Sequence, residues 1–235
     1  VHRFGCVAIV VVLLAALAGG GYWLARELGV PLVSAACLVQ VDGEPVGIDR
    51  EHAMRATTAA VTGDDPGEGV DPAVVRALRE GAPDGPGPVL TCRATAPEGL
   101  AAEEMTETGL TPRAQTVLDE MNEVFGELSV GGYEPGGISS GHGDDSAHYD
   151  GRAIDVFYRP ISTEGRREGW LMSQWLVAHA ERLALAVVIF DDRIWSTQFS
   201  AAGWRPYSIT PTGDEAVDEI LRHIDHVHVD VIEQS

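Results

Sequence analysis

Two short apolar segments, far apart in the chain, carry ionisable side chains at positions that a β-strand would bury, and any fold of this chain has to accommodate them. The first is Ala153-Ile154-Asp155-Val156-Phe157-Tyr158. Successive strand side chains point to opposite faces, so Ala153, Asp155 and Phe157 share one face and Ile154, Val156 and Tyr158 the other. The second is His226-Val227-His228-Val229-Asp230-Val231-Ile232, preceded by Asp225. Its alternation sets His226, His228 and Asp230 on one face and Val227, Val229 and Val231 on the core side. A buried lone carboxylate costs several kcal/mol, so Asp155 requires a partner.

A third segment, Ser146-Ala147-His148-Tyr149-Asp150-Gly151-Arg152, leads into the first strand and places His148 seven residues ahead of Asp155. Together His148, Asp155 and His228 offer two imidazole nitrogens and one carboxylate. That set suits Zn2+ and leaves a fourth position for water, which is the arrangement of a catalytic rather than a structural zinc. Such an ion acidifies its water and polarises a carbonyl, while a neighbouring carboxylate takes up the proton. Asp225, three residues ahead of His228, is the candidate base. His226 shares the ligand face, and either contacts the reacting oxygen or carboxylate or orients its neighbours.

With these residues in place, the sequence resembles the LAS group of zinc peptidases, which comprises lysostaphin-type enzymes, D-alanyl-D-alanine carboxypeptidases and dipeptidases, and the hedgehog fold. Ser146, His148, Gly151, Ala153 and Asp155 match its Ser-x-His-x-x-Gly-x-Ala-x-Asp pattern, and Asp225 with His228 match its later acid and ligand histidine. The resemblance covers residues 110–235. Ile194-Trp195-Ser196 and Gly203-Trp204-Arg205 add a likeness to C-terminal domains of exported actinobacterial proteins. It implies a hedgehog/D,D-peptidase-like domain with an antiparallel sheet and flanking helices. It also implies His148, Asp155 and His228 as zinc ligands, Asp225 as base, and a peptidoglycan stem peptide as substrate.

One position departs from the pattern. Active relatives place an arginine in a Gly-Tyr-Arg strand end, whereas Gly132-Tyr133-Glu134-Pro135 carries Glu134. Loss of one such electrostatic donor costs about 10²–10³ in rate, which opens the alternative of a catalytically impaired module that binds zinc and wall peptide. Arg152 and Arg205 are candidate replacements, and Trp195, Trp204 and Tyr207 are candidate cleft walls or core residues. His142 and His223 read as loop or surface histidines.

The rest of the chain sets the compartment and the architecture. The formal charge is −20, and all 16 basic residues are arginine. Such a chain is a poor partner for phosphate backbones, which excludes nucleic-acid binding. Phe4 to Leu24 is uncharged between Arg3 and Arg26, so residues 1–28 read as a single-pass transmembrane anchor. A cleaved signal is the second option, with Ala16-Leu17-Ala18 as the processing site. Both options export the remainder. Cys6 falls inside the apolar segment and leaves Cys37 and Cys92 as a disulfide pair, consistent with export.

Mixed helices and strands without regular βαβ alternation predict an α+β fold. Residues 35–93 read as a small disulfide-tied α+β module. It holds strands over Cys37–Val41, Pro45–Ile48 and Val89–Cys92 and helices over Glu51–Val61 and Asp71–Glu80. Residues 94–109 read as a linker and 110–235 as the zinc domain. Within that domain, helices are expected over residues 112–125, 164–183 and 214–222. Strands are expected over Leu128–Tyr133, Ala153–Tyr158, Val187–Phe190, Ile194–Trp195 and His226–Ile232.

Overall fold

The computed structural model describes residues 35–233. The expected anchor or signal over residues 1–28 lies outside the described residues. No helix among the described residues is long and apolar enough to cross a membrane.

The described residues open with a hairpin of β1 (Cys37–Val41) and β2 (Glu44–Ile48). Its two-residue turn, Asp42-Gly43, has φ of 52° and 85°. Positive φ at both positions is the turn whose twist matches paired strands, and an aspartate followed by glycine adopts it with little strain. Helix α1 (Arg50–Thr62) starts at Asp49, whose side chain accepts from the His52 amide, and α2 (Pro72–Glu80) starts at Asp71 with proline in its first turn. Strand β3 (Leu90–Cys92) completes a three-stranded antiparallel sheet in the order β2-β1-β3. Cys37 lies directly opposite Cys92 in that sheet, and the two form the expected disulfide.

After a stretch without regular structure come α3 (Pro112–Phe125), β4 (Val130–Gly131), β5 (Ala153–Phe157), α4 (Thr163–His179), β6 (Leu185–Phe190) and β7 (Arg193–Ser196). A 3-10 helix (Thr197–Ala202), β8 (Arg205–Pro206), α5 (Glu215–Leu221) and β9 (His226–Val231) follow. The second sheet is antiparallel throughout, in the order β4-β5-β9-β6-β7-β8. The architecture is therefore α+β, with two antiparallel sheets and flanking helices. The expected strand over Leu128–Tyr133 shrinks to two residues, while the 3-10 helix and β8 are too short to leave a periodic signal in the sequence.

Register assigns the two faces of the second sheet. Ile154 pairs with Val229, Val156 with Val227, and Val188 with both Val229 and Trp195, so all six fall on one face. All six are buried, and α3 and α4 pack against that sheet. On the other face Asp155 pairs with His228, Phe157 with His226, and Ala153 with Asp230.

The residues from Ala36 onward form one compact unit, so segment 35–93 does not stand apart from segment 110–235. The join runs through β3. The side-chain oxygen of Gln174, buried on α4, accepts from the amides of Val89 and Leu90 at 2.8 and 2.7 Å. On the same short strand, Trp195 Nε1–H donates to the Cys92 carbonyl at 3.0 Å and Trp204 Nε1–H to the Leu90 carbonyl at 2.9 Å. The expected linker, 94–109, has no helix or strand, but it is tied to the surface: Ser200 Oγ accepts from Ala94 N and Glu181 from Thr95 N.

Candidate metal centre

Adjacent strands and one turn bring three side chains to a point. Asp155 on β5 faces His228 on β9, and His148 enters from the turn that precedes β5. Each residue of the motif has a local reason. Ser146 Oγ lies 3.4 Å from the His148 amide and helps close the turn. Gly151 has φ of 66°, and a Cβ there would meet the Gly109 carbonyl at 2.5 Å. Gly132, with φ of 81°, lies so close to the site that a Cβ would fall 2.3 Å from the His148 ring and 3.0 Å from Asp155 Oδ2. Only glycine leaves that space open.

His148 Nε2 lies 3.1 Å from His228 Nδ1 and 3.3 Å from Asp155 Oδ1, and His228 Nδ1 lies 3.1 Å from the same oxygen. All three residues are buried. Ligand atoms about 2.0–2.1 Å from a tetrahedral zinc are separated by roughly 3.3 Å, so the three atoms are spaced as such a set requires. The outer nitrogen of His148 is hydrogen-bonded as in metal sites. His148 Nδ1 is 2.8 Å from the Gly132 carbonyl, to which it donates, so that Nε2 presents its lone pair to the centre. His228 Nε2 lies 3.6 Å from Asp230 Oδ2.

A third histidine joins the group. His142 stacks on His148 with ring centroids 3.9 Å apart, and His142, His148 and Asp155 each offer a ligand atom within 4.8 Å of one another. His148 and Asp155 thus belong to two overlapping sets, completed by His228 at shorter distances or by His142 at longer ones. His142 is on a loop, as its sequence context implies, yet its ring is half-buried in the site. His223 likewise packs its ring on His226, with centroids 4.6 Å apart.

Burial opposes the charge on Asp155, but its hydrogen bonds with His148 and His228 outweigh burial and hold the carboxyl below its ordinary range. Burial disfavours the charged form of His228, yet its bonds to Asp155 and Asp230 carry it up to about 9. His223 goes the other way, down to about 3, through burial and then the neighbouring His228 and His226.

Asp225 sits one step back. Its Oδ1 accepts from His226 Nδ1 at 2.7 Å, and its Oδ2 accepts from Arg159 Nε at 2.6 Å. Burial would raise its pKa, but these two partners bring it below the ordinary carboxylate value. His226 Nε2 faces the centre, 3.8 Å from Asp155 Oδ1. A cleft of about 510 Å³ opens over the group. His142, His148, Asp155, Arg159, His226 and His228 line it, together with apolar Phe157, Ile189, Tyr207, Ile209, Ile220 and Leu221. Asp225 does not line it.

The residues read from the sequence separate clearly. His148, Asp155, His226 and His228 meet at one point, with Asp225 touching them through His226. Tyr207 lines the cleft, whereas Trp195 is fully buried and Trp204 packs on Trp170. Arg152 donates to Asp150 and the Val231 carbonyl, and Arg205 lies over the Phe199 ring, so neither candidate replacement reaches the cleft. Glu134 is exposed and does not line the cleft either. The cation that does is Arg159, a residue that sequence reasoning missed. It sits just past the end of β5 on the face of Asp155 and Phe157, and two-residue spacing continued beyond the strand was the signal available.

Residues 106–217 match the family model described as VldE, C-terminal domain. No curated protein and no solved structure matches the chain. The matched span includes His142, His148, Asp155 and Arg159 and stops before β9. Over that span the chain is similar to the VldE C-terminal domain, and it carries a His/His/Asp group that could hold a metal ion.

Proposed function

We propose that this protein is an extracytoplasmic zinc-dependent peptidase, D,D-carboxypeptidase-like, acting on peptidoglycan stem peptides. The observation that carries the reading is the mutual spacing of His148 Nε2, His228 Nδ1 and Asp155 Oδ1 at 3.1–3.3 Å, at the floor of an open cleft. These three residues would hold the ion. Bound there, zinc supplies Lewis-acid polarisation of a peptide carbonyl and a water acidified to near neutrality.

The chain's own groups supply the proton handling. His226 Nε2 faces the centre and is the atom placed to take a proton and return it to the leaving amine. Asp225 orients that ring through Nδ1 and stabilises its charged form, and Arg159 keeps Asp225 ionised. Asp225 is therefore a positioning residue in this reading, acting through His226. The apolar wall of Ile189, Ile209 and Ile220 suits small side chains of such a peptide.

The Cys37–Cys92 disulfide suits an oxidising compartment, where wall peptides are found. A recognition-only module, the alternative reading, rests on Glu134 in place of an arginine, and Glu134 lies outside the cleft that Arg159 lines. The full chain, purified with its metal and incubated with peptidoglycan, is expected to hold about one zinc per chain and to release amino acids or short peptides. Absence of bound zinc would overturn both readings, and zinc without hydrolysis would leave the recognition module.

A further inference from the structure

A second cavity, of about 370 Å³, opens where α1, the loop after it and the C-terminal end of α4 meet. It shares no lining residue with the cleft over the metal centre. Met54, Ala59 and Pro66 give it apolar walls, and Thr58 and His179 add polar atoms to them.

His179 is 4 % exposed, and only one of its two nitrogens is satisfied. Nδ1–H donates to the Trp175 carbonyl at 2.7 Å, which leaves the lone pair on Nε2. Nε2 has no partner among the described residues and is not sealed from solvent, and the ring lines this cavity, so the lone pair faces it. Burial brings the imidazole down to about 4, so at neutral pH Nε2 accepts and does not donate. An acceptor withdrawn from bulk water in this way costs free energy until a donor reaches it.

Thr58 offers the complement. Its Oγ1 accepts from Trp175 Nε1 at 3.1 Å, and its own proton has no acceptor among the described residues. Trp175 also stacks on the His179 ring, with centroids 4.1 Å apart, so one indole sets the hydroxyl and the imidazole on the same wall. A single ligand hydroxyl serves both, donating to Nε2 and accepting from Thr58.

The charges select what the rest of that ligand carries. Asp64 and Asp65 line the cavity from the exposed loop. Asp65 Oδ1 accepts from the Gly67 amide at 2.8 Å, and the Asp64 carboxylate has no partner among the described residues. Arg55 turns its guanidinium to the Pro66 and Glu68 carbonyls, at 3.1 Å each, and the neighbouring Arg182 is paired with Glu120. Two carboxylates against one arginine favour a cation over an anion.

We propose that this cavity binds a short amino alcohol, its hydroxyl between His179 Nε2 and the Thr58 hydroxyl and its ammonium group beside Asp64 and Asp65. The site stands apart from the metal centre and does not rest on the hydrolase reading. In the test, the full chain is titrated with 4-amino-1-butanol, and with butylamine and 1-butanol, each of which lacks one polar end. NMR follows the ring signals of His179, identified by their absence in His179→Gln.

A ligand of this size is expected to bind with Kd on the order of 1 mM. Each truncated probe should bind about fivefold more weakly. Thr58→Val should abolish the advantage of the amino alcohol over butylamine and keep its advantage over 1-butanol. The double change Asp64→Asn with Asp65→Asn should do the converse, and both positions are exposed, so this variant tests the proposal without disturbing the core. His179 signals that move with none of the probes, or an amino alcohol that binds no better than either truncated probe, would overturn the proposal. So would a preference that survives both variants.

Discussion

Residues 154 and 155 are neighbours in the chain and belong to two different proteins in the physical sense: one packs a core, the other builds a site. On the helix-covered face of the six-stranded sheet, Ile154, Val156, Val227 and Val229 exclude water under α3 and α4. On the opposite face, Asp155, His226, His228 and Asp230 gather ionisable groups at nearly the same depth. The period-two geometry of a strand allows both. The comparison teaches that the stability of the fold and the chemistry of the site are separable at single-residue resolution. Changes on one face should leave the other standing.

The largest effect expected is on the site face. Asp155→Ala and His228→Ala should each reduce bound metal from about one ion per chain to none, while His142→Ala should weaken binding without abolishing it, since His142 completes only the looser set. Metal analysis after gel filtration checks all three. The neighbouring change Ile154→Ala should do the reverse, lowering unfolding free energy by about 2–5 kcal/mol with metal stoichiometry kept. If Ile154→Ala strips the metal as completely as Asp155→Ala does, the two faces are not independent.

The second comparison is between the small sheet and the large one. Cys37 and Cys92 are 55 residues apart, and closing such a loop stabilises by about 4 kcal/mol in the chain-entropy account. The double change Cys37→Ser with Cys92→Ser should lower the denaturant midpoint accordingly, and it should do so for the whole of residues 36–233 in one transition, because β3 is shared. Two separate transitions would mean that segment 35–93 melts on its own.

Gln174 is a finer probe of the same join. Its side-chain oxygen is the acceptor for two buried amides, so Gln174→Leu leaves both without a partner at a cost of about 2–3 kcal/mol. Gln174→Glu keeps the acceptor but buries an unpaired carboxylate and loses the amide that donates to the Trp170 carbonyl, so it should lose more. The order of the two variants in urea denaturation is the test.

Much of this was legible in the sequence. The alternation in Ala153–Tyr158 and His226–Ile232 gave the strands, their faces and the residues that meet, because a strand's two faces are written directly in residue parity. Asp71 and Thr111, each followed by proline, marked helix starts for the same local reason. What stayed hidden depends on long-range contacts. The bonds from Trp195 to Cys92 and from Trp204 to Leu90 span 103 and 114 residues, and nothing local in either segment announces them. Residues 35–93 therefore read as a separate module. Arg159 escaped notice for a similar cause, since its partner Asp225 is 66 residues away and it lies beyond the last paired residue of β5.

The last comparison concerns a histidine far from the cleft, whose effect is small near neutrality and grows as pH falls. His179 ends α4 under the core, stacked on Trp175 at 4.1 Å with its Nδ1–H donating to the Trp175 carbonyl at 2.7 Å. Burial lowers its pKa to about 4, from 6.5. Above pH 6.5 both folded and unfolded chains carry it neutral, and it contributes nothing to the pH dependence. Below 6.5 the unfolded chain takes up a proton that the folded chain refuses, so stability falls as pH falls, by about 1 kcal/mol between pH 7 and 5.5 and about 3 kcal/mol by pH 4. His179→Gln removes the titrating group. The difference in unfolding free energy between the intact protein and this variant should therefore shrink or grow with pH by those amounts, while the site histidines, present in both, cancel. A difference that stays flat from pH 7 to 4 would show that His179 takes up its proton in the folded chain as readily as in the unfolded one. The core beneath the site would then be more open to water than its burial implies.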